Sequence, residues 1–257
     1  MTTPTKPPVV LLHALSLDGT MWDAQRLTLE AQGHPVLTPH QRGFGGTPLG
    51  QDAPSLDVVA DDLARLLDAQ DLDRVVLVGA SMGGYTAMAF LRRHPGRTLA
   101  LGLVSARATA DAEAVRGNRE RFAAAMADPE QGPALVAATA PQMLGATTRA
   151  ERPDVVRQVS DLAGAAPRAS LAWAQRAIAG RPDSVNVLRS ADLPAVVITG
   201  QEDALISPED ARTAADALPQ GRLVTVPGAG HLPSWEQPTA FHGELAALLA
   251  RTRAVTC

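Results

Sequence analysis

The ten residues Val75-Val-Leu-Val-Gly-Ala-Ser-Met-Gly-Gly84 constrain this 257-residue chain more than any other segment. Four consecutive Val and Leu residues predict a strand buried on both faces, because a run without polar alternation offers no side to water. Residues 81–94 follow at helical spacing, so the chain must turn from strand to helix within a few residues. The spacing Gly79-x-Ser81-x-Gly83 suits a turn too sharp for flanking side chains and lifts a serine hydroxyl above the sheet edge. The helix N-terminus beneath favours negative charge developing there. A plain helix N-cap serine is the alternative, but it requires neither the preceding strand nor the paired glycines.

The same alternation runs through most of the chain. Residues 9–12, 36–38, 75–78, 99–104, 195–199 and 223–226 read as strands, and 56–69, 81–94, 209–218 and 241–249 as helices. Strand, helix, strand, helix predicts an α/β fold with a doubly wound, mainly parallel sheet. Residues 107–190 break the pattern with Ala-rich helical spacing punctuated by prolines. Structureless loops beyond ~15 residues are uncommon, so this block is expected to be a helical cap inserted between two strands. The division expected is therefore a core of 1–106 and 191–257 with a cap of 107–190. Met126, Met143 and Trp173 are candidate inner lining of that cap, or simply its own small core.

Charge and composition narrow the partners. The formal net charge is −4 with Lys and Arg scattered, so no basic patch points to nucleic acid or an anionic membrane. Aromatic residues make up 3% of the chain, too few for a base-stacking platform. No run approaches the ~18 apolar residues of a membrane span, and residues 1–6 lack the features of a signal peptide. The single cysteine, Cys257, cannot form an internal disulfide, which fits a reducing compartment. No His, Cys and carboxylate cluster has metal-ligand spacing. A cytoplasmic protein that meets a small-molecule substrate, without cofactor or metal, is the expectation.

A serine hydroxyl is a poor nucleophile until a base lies within hydrogen-bond reach. Of six histidines, only His231 sits in a Gly-rich loop (Pro227-Gly-Ala-Gly-His231) directly after the last strand. Ligand sites of parallel sheets gather at the carboxyl ends of strands, so His231 can meet Ser81 there. His34, His94 and His242 read as surface residues. A carboxylate to orient the imidazole is offered by Gly200-Gln-Glu-Asp203, which follows another strand and leaves Glu202 and Asp203 both open. Backbone N–H groups that stabilise an oxyanion are expected from Met82, after the serine, and from Leu15 in the His13-Ala-Leu loop. His13 itself reads as a brace for that loop.

These blocks, together with Leu11-Leu-His-Ala-Leu-Ser-Leu-Asp18, Met21-Trp22, Gln41-Arg-Gly-Phe-Gly-Gly-Thr47 and Glu236-Gln-Pro238, resemble the α/β-hydrolase superfamily. Within it the chain is similar to the bacterial branch of 3-oxoadipate enol-lactonase-like enzymes, small carboxylesterases and cofactor-free haloperoxidases (perhydrolases). The resemblance covers nearly the whole chain and implies the triad Ser81, Asp203 and His231, favouring Asp203 over Glu202. It also implies substrate contacts at Trp22 and Arg107, with two readings open for Arg107: a grip on a substrate carboxylate, or a solvated or structural arginine. Three positions depart from the family pattern: Ala14 stands for glycine, His40 for aspartate, and Ser105-Ala-Arg107 for Asp-Thr-Arg. The usual N-terminal β-hairpin is expected to be absent.

What the resemblance implies is hydrolysis of an ester, lactone or thioester through an acyl-Ser81 intermediate. Other uses of the same triad are perhydrolysis, C–C hydrolysis or acyl elimination in small-molecule biosynthesis. A catalytically drifted small-ligand-binding protein is the alternative of a different class, against which an intact triad weighs.

Overall fold

The computed structural model describes residues 6–255, so Cys257 lies outside the described residues. Strands β1 (Val9–Leu12), β2 (Val36–Leu37), β3 (Val75–Ala80), β4 (Thr98–Val104), β5 (Ala195–Gly200) and β6 (Leu223–Val226) form one sheet, ordered β2-β1-β3-β4-β5-β6. All the pairings are parallel, and no strand precedes β1 among the described residues. Every residue of β1, β3, β4 and β5 is buried, which is why those runs carry no polar alternation. The edge strands β2 and β6 are only partly covered.

Parallel neighbours require crossovers, and helices supply them. They are α1 (Asp23–Ala31), α2 (Leu56–Ala69) and α3 (Met82–Arg93) in the first half of the chain. Between β4 and β5 stand α4 (Glu113–Ala125), α5 (Gln131–Thr139), α6 (Ala146–Glu151), α7 (Pro153–Ala165), α8 (Arg168–Ala179) and α9 (Val185–Arg189), with no strand among them. The chain then adds α10 (Pro208–Ala217), α11 (Pro233–Glu236) and α12 (Pro238–Val255). Helix α2 buries Val59, Leu63 and Leu67 at the spacing its sequence shows and packs against α3. Helix α1 is absent from the sequence expectation because it buries only Gln25 and Leu29, too few apolar positions to make a periodic stripe. Among the described residues no helix is long and apolar enough to cross a membrane.

This topology sets the site. The loops after β1, β3, β5 and β6 all leave the same edge of the sheet, because parallel strands share one carboxyl end.

Candidate active site

Ser81 sits between β3 and α3 with φ 50° and ψ −111°, a conformation that L side chains rarely adopt. The turn holds because its neighbours are glycines. A Cβ on Gly79 would lie 2.2 Å from the Gly83 carbonyl oxygen, and one on Gly83 would lie 2.2 Å from the Leu12 carbonyl oxygen. The Ser81 N–H donates to Val104 O at 2.8 Å, pinning the tip of the turn to β4.

His231 is buried, and its Nδ1 lies 3.1 and 3.0 Å from the two carboxylate oxygens of Asp203. A carboxylate only accepts, so Nδ1 carries the proton and Nε2 is left as the basic nitrogen. The Asp203 side chain is 1% exposed. Burial alone would push its carboxyl up; His231 and the N–H groups of Leu205 and Ile206 outweigh this and hold it below the ordinary range. Glu202 faces elsewhere. Its carboxylate accepts from Thr147 N at 2.8 Å and Thr147 Oγ1 at 2.6 Å, tying the loop after β5 to α6. The structure thus separates two adjacent carboxylates that the sequence left open.

The histidine loop is fixed by a group not singled out from the sequence. Buried Glu236 accepts from Gly230 N at 2.9 Å, Leu232 N at 3.0 Å and Gly145 N at 2.7 Å. His231 N donates to Met143 O at 2.9 Å. The only sequence signal was the Glu-Gln-Pro block after the histidine.

The loop after β1 is braced by His13. Its Nδ1 lies 2.9 Å from Ala14 O, Gln41 N donates to its Nε2 at 2.9 Å, and Gln41 Nε2 donates to His13 O at 2.8 Å. Thr86 Oγ1 completes the chain by donating to Gln41 Oε1 at 2.8 Å. Burial lowers the His13 pKa to about 4, so the imidazole is neutral. Ala14, where the family has glycine, is absent from the non-glycine residues with positive φ; that role falls to Ser16 at φ 70°. His40 accepts from Gly19 N at 3.0 Å, the task an aspartate could perform at that position. His34, expected at the surface, is buried beside the Pro7 carbonyl.

Ser81 and His231 line one cavity of about 630 Å³, without a hydrogen bond between them. Leu15, Arg107 and Met143 line it too. Met82 begins α3, so its N–H has no partner within the helix. Three residues proposed from the sequence as substrate contacts lie elsewhere. Trp22 is fully buried and packs against Phe241, with ring centroids 5.8 Å apart. Met126 is buried at the end of α4, where its carbonyl accepts from Arg168. Trp173 donates from Nε1 to Asp52 O at 2.9 Å, joining α8 to the loop before α2. Large apolar side chains mark burial and do not say which side of a helix faces a cavity. Asn118, Arg119 and Gln175 line the cavity and carried no sequence signal; Tyr85, beside the serine turn, lines it as well. A second cavity of about 740 Å³ between α2 and the loop before it contains neither Ser81 nor His231. Among the described residues no group of three or more His, Cys, Asp or Glu side chains is arranged to hold a metal ion.

Comparison with known proteins identifies the fold family. A family model described as the alpha/beta hydrolase fold matches residues 7–238. A thermophilic esterase from Thermogutta terrifontis is similar in structure, with TM-score 0.91 and 35% identity, covering 97% of this chain and 92% of that one. The enol-lactonase from Burkholderia xenovorans LB400 gives a TM-score of 0.86 at 25% identity, covering 97% and 94%. A non-heme chloroperoxidase from Streptomyces lividans is 35% identical over 100 residues, 38% of this chain and 36% of that protein. With the matched region enclosing the strained serine turn, the carboxylate after β5 and the histidine loop, the chain belongs to the α/β-hydrolase fold family.

Proposed function

We propose that this protein hydrolyses a small-molecule ester, lactone or thioester through an acyl-Ser81 intermediate. The observation that carries this reading is the shared cavity. A serine on a strained turn and a histidine held by a buried carboxylate open onto the same space. Likeness to an esterase and an enol-lactonase supports the substrate class.

His231 Nε2 takes the proton of Ser81 Oγ as Oγ attacks the carbonyl carbon, and Asp203 stabilises the imidazolium without accepting its proton. The oxyanion meets the N–H groups of Met82 and Leu15. His231 then protonates the departing alcohol or thiol. Water, deprotonated by the same nitrogen, attacks the acyl carbon; the acyl–Oγ bond breaks, His231 returns the proton to Ser81 Oγ, and the acid is released. The segment 107–190 acts as a cap that limits bulk water and selects the substrate.

The test is turnover of short and medium-chain p-nitrophenyl esters together with fluorophosphonate labelling. Ser81→Ala and His231→Ala are expected to lower kcat by ~10⁴-fold or more, with labelling lost in Ser81→Ala. Folded wild-type protein that neither labels nor turns over any ester, lactone or thioester would refute the reading and leave a ligand-binding role.

A further inference from the structure

We propose that the cavity takes a substrate bearing a carboxylate remote from its scissile bond, and that Arg119 reads that carboxylate. The proposal rests on the hydrolytic reading above and names its substrate class.

The argument is a charge count. Arg107 and Arg119 line the cavity together with His231, whereas no Asp or Glu does. Arg119, on α4, donates from Nε to Asp111 at 2.5 Å and from Nη1 to Gln175 at 2.9 Å, which leaves Nη2 without a protein partner. Asp111 also holds Arg181 at 2.8 Å. Two guanidinium groups therefore share one carboxylate, and one positive charge is left over. Burial opposes ionisation of Asp111, but the two arginines outweigh it and keep the carboxyl below the ordinary range, so the count stands.

The surplus is presented by Arg119. Arg181 is 5% exposed, donates from Nη1 to Ile178 O and from Nη2 to Thr109 O, and lies 4.1 Å from the Tyr85 ring centroid, so both terminal nitrogens and one face are engaged. Arg119 is 20% exposed and borders the cavity. Arg107 donates from Nη2 to Leu205 O at 2.8 Å and its charge is met by Asp210 at 3.6 Å, so it adds no surplus charge, although its buried Nε has no partner. An uncompensated charge in a partly desolvated cluster is costly until an anion completes it. A single surplus charge matches a carboxylate better than a phosphate dianion. Asp111 and Gln175 hold the guanidinium in place before the ligand arrives, which limits the ordering cost of binding.

The experiment compares monoethyl glutarate with ethyl pentanoate, and ethyl butyrate with O-butyryl glycolate, by pH-stat. These pairs place the carboxylate on the acyl and the alcohol side in turn. Glutarate binding to Ser81→Ala protein is measured by calorimetry, a readout independent of turnover. We expect kcat/KM to favour one anionic member at least tenfold, and added salt to erode that preference. Arg119→Gln should lower the anionic-to-neutral ratio and glutarate affinity at least tenfold, while Arg119→Lys restores part of both. Asp111 keeps Arg181 in either variant, and thermal unfolding checks that both variants fold. Equal turnover of neutral and anionic esters, with no glutarate binding, would overturn the proposal and leave the hydrolytic reading intact. Glutarate binding that depends on Arg119 without turnover of any ester would sustain the anion site and defeat the hydrolytic reading.

Discussion

Glu236 gives both carboxylate oxygens to backbone amides, two in the histidine loop and one in the turn before α6. Glutamine in its place turns one oxygen into a donor that must face a donor. Leaving one or two buried N–H groups unpaired costs ~1–3 kcal/mol each. We expect Glu236→Gln to lower Tm by about 5–10 °C and to lower kcat more than it raises KM, because the disturbed loop carries His231, the base of the proposed reaction, rather than a substrate contact. A variant with wild-type kcat would show that the loop holds His231 without this carboxylate. His13 makes a second prediction. Its pKa falls from 6.5 unfolded to about 4 folded, so between those values the unfolded chain binds more protons. The contribution is whole above pH 6.5 and is lost as pH falls towards 4, up to ~3 kcal/mol. Urea unfolding from pH 7.5 to 4.5 should show a steeper fall for wild type than for His13→Gln; parallel curves would place the neutral imidazole elsewhere.

At the scale of elements, the turn between β3 and α3 is the most demanding feature of the chain. Its two glycines are needed for different reasons: Gly79 clears α3, and Gly83 lets that helix approach β1. Gly83→Ala should cost about 3 kcal/mol or more, since the obstacle at 2.2 Å is backbone and cannot swing away. Gly96, at φ +84° with nothing near its Cβ position, offers the contrast. There Gly96→Ala should cost only the left-handed penalty of about 1 kcal/mol. Chemical unfolding of the two variants checks the difference. This turn was legible in the sequence because steric demand leaves glycine as its trace. The strands were legible for a related reason, since burial on both faces excludes polar residues. Helix α1 was not, because a helix lying on the surface with Leu29 as its main buried apolar residue needs no stripe.

Across the whole molecule, legibility falls with distance from the sheet. Ser81, Asp203 and His231 each follow a strand, so topology alone brings their loops to one edge. Arg119 and Gln175 reach the cavity only through the packing of α4 on α8, which no local pattern encodes. The same packing turns Trp173 and Met126 away. The structure also shows how this helical segment is fastened: Met143 O accepts from His231 N, Gly145 N donates to Glu236 at the end of α11, and Thr147 donates to Glu202 in the loop that carries Asp203. One seam therefore joins this helical segment to the loops on either side of the Asp203–His231 pair. Thr147→Val removes the hydroxyl that donates to Glu202 but leaves the backbone bond in place. A hydrogen bond to a charged group contributes ~1.5–3 kcal/mol, so local opening there should become at least ~10-fold more frequent. Hydrogen exchange should then quicken at residues 144–148 and 227–232 together, with kcat falling several-fold although Thr147 does not line the cavity. Faster exchange confined to 144–148 would mean that this helical segment moves independently of the histidine loop, and that the seam fastens only one side.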